Sequence, residues 1–166
     1  VTRVAAAAKT ASAVVSTAST KDKNAALEAI AQTLEDNIDD IVAASAEDLE
    51  TAKKRGFSDS LLDRLELNEQ RVRGIAAAVR HVIGLADPVG DIVSGRTLPN
   101  GINLMQKRVP MGVIGAIYEA RPNVTVDIAA LAIKAGNAVI LRGGSAAISA
   151  NTLLVELLRK AVASAG

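Results

Sequence analysis

Arg142-Gly143-Gly144-Ser145 sets a fixed cation, two residues without side chains and a hydroxyl between an apolar run and an amphipathic one. Free amides and the dipole at a helix start attract negative charge, glycines let a phosphate or ribose reach the backbone, and a guanidinium can add two parallel hydrogen bonds. The same residues equally describe a glycine turn with a serine cap and a surface arginine. Their order is not G-x-G-x-x-G, so an ordinary dinucleotide fold is not indicated. A second polar cluster, Tyr118-Glu119-Ala120-Arg121-Pro122-Asn123, also follows an apolar run. Such a loop leaves the carboxyl end of a strand, where ligands of α/β sheets settle. Arg121 can grip a phosphate or carboxylate, and Asn123 can donate to a developing oxyanion. The alternative is that Pro122 shapes a loop, Asn123 or Thr125 caps the next helix, and Asp127 complements its dipole.

Other chemistry has little foothold. The 166 residues contain no cysteine and one histidine, His81, so a metal site is not expected and His81 reads as a solvated helix position. No G-x-S-x-G elbow is present for a nucleophilic serine. Nineteen Lys and Arg balance eighteen Asp and Glu, no basic block stands out, and Phe57 and Tyr118 are the only aromatic residues. A nucleic-acid partner is therefore not expected, because such a surface needs clustered cations and usually stacking rings. The longest apolar run, Val109 to Tyr118, is far short of the ~20 residues that cross a bilayer. With no disulfide available and no ordered export signal, a reducing cytoplasmic location is expected.

The elements that must carry these residues follow from periodicity. Val4, Ala7, Ala8, Ala11, Val14, Val15 and Ala18 mark one stripe of a first helix. Leu27, Ile30, Leu34, Ile38 and Ile41 continue a helical period to a boundary near Ala44 to Ala46, and the turn after it closes at Gly56 in a left-handed cap. Ser58 is expected to cap a short helix through Leu65, and Asn68 a longer one, Glu69 to Gly84, with Val72, Ile75, Ala76, Val79 and Ile83 inward. Asp87-Pro88 ends it. The period then drops to 2: Val89 to Thr97 and Ile102 to Val109 flank Leu98-Pro99-Asn100-Gly101, where Asn-Gly predicts a tight hairpin turn with positive φ.

Val113 to Tyr118 and Ala138 to Leu141 read as strands buried on both faces, joined by a helix from Thr125 to Ala135. Ser145 is expected to cap a last helix from Ala146 to about Ala163. The fold class is α/β: a helical layer at 1–86, a β-hairpin arm at 87–110 and a parallel βαβα unit at 111–166. A parallel sheet of two strands buried on both faces needs further strands, so the chain is expected to be the front portion of a larger protein.

The segment RVPMGVIGAIYEARPNVTVDIAALAIKAGNAVILRGGSAA, with DPVG and TLPNG before it, resembles the γ-glutamyl phosphate reductases, or glutamate-5-semialdehyde dehydrogenases, a branch of the aldehyde dehydrogenase superfamily. The resemblance extends over essentially the whole chain. It implies a partial aldehyde-dehydrogenase-like cofactor-binding domain in an NADPH-dependent reductase that converts L-glutamyl 5-phosphate to glutamate 5-semialdehyde in proline biosynthesis. NADP is then expected against Tyr118, Glu119, Arg142, Gly143, Gly144 and Ser145, with Arg142 at the superfamily's ribose-binding lysine and suited to a 2′-phosphate. The superfamily's oxyanion asparagine falls on Arg121 when Gly112 to Gly115 are matched without gaps, and on Asn123 when residue type is matched. Asn123 is taken as the catalytic oxyanion donor and Arg121 as the substrate-binding residue. The hairpin resembles the superfamily's oligomerisation arm and implies a homo-oligomer; association with glutamate 5-kinase is a further expectation. Because the family's nucleophile is a cysteine thiolate, the cysteine domain is absent from these residues, which alone should be inactive. The rival readings are another aldehyde dehydrogenase and a non-catalytic nucleotide-binding or assembly module.

Overall fold

The computed structural model describes residues 2–166. Helix α1 (Thr2–Val15) is helical as its stripe predicts, yet Val4 and Val14 are 50% and 70% exposed and only Ser12 is buried. It lies against the small parallel sheet formed by residues 113–117 and 138–142. Ser19 then closes a capping box, its hydroxyl accepting from the Asp22 amide while the Asp22 carboxylate accepts from the Ser19 amide, and α2 (Thr20–Asp36) begins.

The expected boundary near Ala44 to Ala46 falls instead at Asn37, between α2 and α3 (Ile38–Lys54). Asn37 leaves the helical region at φ −121°, and its side-chain amide donates to the Thr33 carbonyl, a local competition with the helix ladder that alanines cannot offer. Ser45, at the supposed break, is buried mid-helix and accepts from the Leu67 amide at 2.8 Å, fastening α3 to the chain after α4 (Asp59–Leu65). Gly56 does end α3 in the left-handed region, at φ 75°, with the Phe57 amide donating to Ala52 and the Gly56 amide to Lys53. Ser58 precedes α4 but makes no side-chain cap bond, contrary to expectation. Asn68 does cap α5 (Glu69–Gly84), accepting from the Arg71 amide at 2.9 Å.

The hairpin strands β1 (Ile92–Thr97) and β2 (Asn103–Lys107) pair antiparallel, and all their residues are exposed. Their turn is not the expected one with two positive φ angles: only Gly101 adopts one, at 86°. Pro99 holds its own φ negative, the Gly101 amide donates to the Leu98 carbonyl, and Gly101 takes up the extra residue as a bulge before Ile102.

A second sheet joins β3 (Val113–Ile117) in parallel to β4 (Ala138–Arg142) through α6 (Asn123–Lys134), in the register Val113 to Ala138 through Ile117 to Arg142. The sheet has two strands among the described residues, and neither is buried on both faces as expected; Ile117 is 85% exposed. A 3₁₀ turn (Ser145–Ala147) leads into α7 (Ile148–Ser164).

The main core is aliphatic and lies between helices: Leu27, Ile30 and Leu34 of α2 meet Val72 and Val79 of α5, Val126 of α6 and Leu154 of α7. Each such side chain contributes about 1.5–3 kcal/mol on burial. Two buried lysines finish the seam. Lys23 pairs with Asp87 at 2.5 Å, and the Lys134 ammonium donates to the Asn24 side chain and the Ile83 carbonyl, both at 2.8 Å. Together they hold the segment leading into the hairpin against α2 and α6.

Candidate functional site

The carboxyl ends of β3 and β4 lie side by side, so the loops leaving them meet as the sequence pattern requires. Gly143 packs so closely that a Cβ there would lie 2.3 Å from Asn151 Nδ2 and 3.3 Å from the Tyr118 ring; one on Gly144 would meet the Glu119 Cα at 3.4 Å. Tyr118, Glu119, Gly143 and Gly144 are thereby brought together. Their glycines serve contacts within the protein, on Asn151 and Glu119, where the sequence suggested room for a ligand. Arg142 is exposed, donates to the neighbouring Gly143 carbonyl at 2.7 Å and pairs with no carboxylate among the described residues. Ser145 is exposed and caps nothing with its side chain.

Beneath the turn runs a buried polar chain. Thr125, fully buried, donates to Asn151 Oδ1 at 2.8 Å, which leaves the Tyr118 hydroxyl, 2.5 Å from Thr125 Oγ1, to donate into it. The Thr125 hydroxyl is therefore no helix cap. Low surrounding dielectric strengthens such a chain and makes each missing partner costly.

The first turn of α7 is not an open anion site either. Asp48 of α3, 4% exposed, accepts from the amides of Ser149 at 3.0 Å and Ala150 at 2.9 Å. A protein carboxylate already occupies the place that the sequence reserved for a phosphate at this helix start.

Ala120 turns the loop away from this cluster. At φ 49° it is the only non-glycine residue in the left-handed region among those described, a conformation that costs an alanine about 1–2 kcal/mol. Beyond it, Arg121 and Asn123 fall in a separate cleft of about 470 Å³ against α4 and α5, lined also by Arg71, Gly74, Ile75 and Asp127. That volume is in the range of small-molecule sites. Asn123 Nδ2 donates to Asp127 Oδ2 at 2.9 Å, one helical turn on. Asp127 lies in the second turn of α6, so it does not complement the first-turn amides as expected; it is half-buried and faces the cleft. Burial pushes its carboxyl above the ordinary value, partly offset by the Asn123 hydrogen bond.

The six residues proposed for a cofactor thus sit around the strand ends, while Arg121 and Asn123 stand apart in the cleft. Sequence reasoning missed Asp48, Asn151 and the place of Asp127 in the cleft. The i, i+4 spacing of Asn123 and Asp127 was the one available signal; Asp48 and Asn151 act across more than 20 residues and leave none. Among the described residues no group of His, Cys, Asp and Glu is placed to hold a metal, and no helix is long and apolar enough to cross a membrane.

Residues 1–166 match the aldehyde dehydrogenase family. A γ-glutamyl phosphate reductase from Kineococcus radiotolerans is 58% identical over 159 residues, 96% of this chain and 37% of that protein. Among solved structures, γ-glutamyl phosphate reductase from Thermotoga maritima superposes with TM-score 0.91 at 41% identity, over 95% of this chain and 38% of that one. The Saccharomyces cerevisiae γ-glutamyl phosphate reductase superposes with TM-score 0.93 at 34% identity, over 98% and 41%. The chain therefore spans less than half the length of each of these relatives.

Proposed function

The chain belongs to the aldehyde dehydrogenase family, and on that premise we propose that it is the N-terminal part of a cytoplasmic reductase that uses NADPH to convert L-glutamyl 5-phosphate to glutamate 5-semialdehyde and phosphate, in proline biosynthesis. The observation that carries this reading is the 58% identity to a γ-glutamyl phosphate reductase across nearly the whole chain. The cofactor, when bound, supplies the hydride. Arg142, exposed at the end of β4 and free of carboxylates, fits the 2′-phosphate that separates NADP from NAD. Tyr118 and Glu119, with Gly143, Gly144 and Ser145, form the wall beside it, and the hydrogen bonds from Tyr118 through Thr125 to Asn151 keep that wall fixed.

On the substrate side, Arg121 pairs with an anionic group and Asn123 donates its remaining amide hydrogen to the acyl oxygen as charge develops there. The thiolate that displaces phosphate comes from polypeptide outside these residues, since the chain has no cysteine. The exposed hairpin, with Ile92, Leu104 and Met105 uncovered, is the proposed oligomerisation arm.

The test is phosphate-dependent reduction of NADP by glutamate 5-semialdehyde, assayed on the intact protein that carries this chain. Turnover that requires phosphate supports the proposal. Oxidation of free aldehydes without phosphate overturns it in favour of another aldehyde dehydrogenase.

A further inference from the structure

The cleft beside α5 holds an uneven set of charges. Arg71 is neutralised locally, its guanidinium 2.6 Å from Asp63 and 3.7 Å from Glu66, and it also donates to the Glu66 carbonyl at 2.9 Å. Of the other charged residues lining the cleft, Arg64, Arg121 and Asp127 make no ion pair among the described residues. Asp127 is the unusual one. A half-buried carboxylate is costly unless a cation or several donors meet it, and among the described residues a single neutral donor does, the Asn123 amide at 2.9 Å. Its first-turn neighbours on α6 offer no lysine or arginine; Lys134, at the far end of the same helix, is committed to Asn24 and Ile83.

We infer that the cleft lined by Arg121, Asn123 and Asp127 is a headgroup site for an L-α-amino acid, in which Asp127 takes the α-ammonium and Arg121 the α-carboxylate. The free charges, one carboxylate and two guanidiniums, complement a ligand with one cationic and two anionic groups. A primary ammonium replaces the cation that Asp127 lacks, and its three donors leave the Asn123 bond to the other carboxylate lone pairs intact. An acyl chain without an amino group leaves the half-buried Asp127 with no cation beside it, so rejection is built in as an unmet charge, a stronger discriminator than shape. This inference rests on the proposed reaction for the identity of the amino acid, and deepens it by naming what selects the substrate.

Binding and turnover separate the two. With the intact protein, titration calorimetry of L-glutamate and of glutarate, which lacks the amino group, is expected to show at least a tenfold preference for L-glutamate. In Asp127→Asn that preference should collapse toward equality, while Asp127→Glu should retain part of it. Equal binding of the two probes by the unaltered protein overturns the inference, and so does an unchanged preference in Asp127→Asn. The kinetic counterpart is the ratio of kcat/KM for glutamate 5-semialdehyde to that for 5-oxopentanoate, which should fall at least tenfold in the same variant. Phosphate-dependent turnover without preference for the amino group sinks the headgroup site alone; selective L-glutamate binding without phosphate-dependent turnover sinks the proposed reaction alone.

Discussion

The Asp48 carboxylate accepts from the Ala150 amide at 2.9 Å, across 102 residues, and closes the first turn of α7 together with its bond to Ser149. A buried carboxylate on two orphan amides combines a helix cap with a tertiary fastening between α3 and α7. Asp48→Ala should therefore lower unfolding stability by about 1–3 kcal/mol, and Asp48→Asn by less, because an amide oxygen still accepts. Denaturant melts of the two variants check the order; equal losses would point to packing in place of the hydrogen bonds.

Asp87 gives the fold a pH dependence. Burial would raise its carboxyl, but the Lys23 ammonium at 2.5 Å, the Thr20 hydroxyl and the Val89 amide outweigh that and hold it at about 2, below the ordinary 3.8. A folded value below the unfolded one means the stabilisation is complete above pH ~4 and lost as pH falls through about 2. The size is about 1–2 kcal/mol after solvent screening. Asp87→Asn should remove this component of the Tm against pH curve between pH 4 and 2. It should also cost about 3–5 kcal/mol at neutral pH by leaving the buried Lys23 unpaired.

Gly143 should not tolerate a methyl group. A Cβ 2.3 Å from Asn151 Nδ2 forces Asn151 off the Thr125 hydroxyl, so Gly143→Ala is expected to cost about 1–3 kcal/mol. The double variant Gly143→Ala with Asn151→Ala should recover part of that loss, because the obstructing side chain is gone. Thermal melts that show simple additivity of the two changes would place the strain elsewhere.

Arg142→Ala in the intact protein should weaken NADPH more than NADH, by about ten- to a hundredfold, the value of a charge-assisted hydrogen bond. Fluorescence titration with the two nucleotides decides it. Equal losses for both would remove the 2′-phosphate role.

The sequence exposed what depends on near neighbours. The cap at Asn68, the left-handed Gly56, the hairpin and the strand–helix–strand order all follow from residues within a turn or two of one another. What it hid depends on distant partners. Ser145 and Ser58 carry the right hydroxyl for a cap, but the α7 amides went to Asp48 and those of α4 to no side chain. The break at Asn37 is hidden in the sequence because the apolar period of α2 runs on through Ile38 and Ile41 as if no residue interrupted it. In the site, the pattern placed Tyr118 and Gly143 together correctly. It could not see that one left-handed residue, Ala120, sends Arg121 and Asn123 into a different cleft.

Strands β3 and β4 bond to each other along one side only, and among the described residues nothing pairs with their outer rows. Amides on those outer rows have no ladder partner among the described residues, while those of α2 are closed in the ladder of a helix whose apolar face is packed in the core. Exchange into deuterium oxide should consequently be graded within this chain, fast along the strand margins and slow through α2 and α5. Any further strand that docks on the sheet would then announce itself by slowing exchange at those margins first.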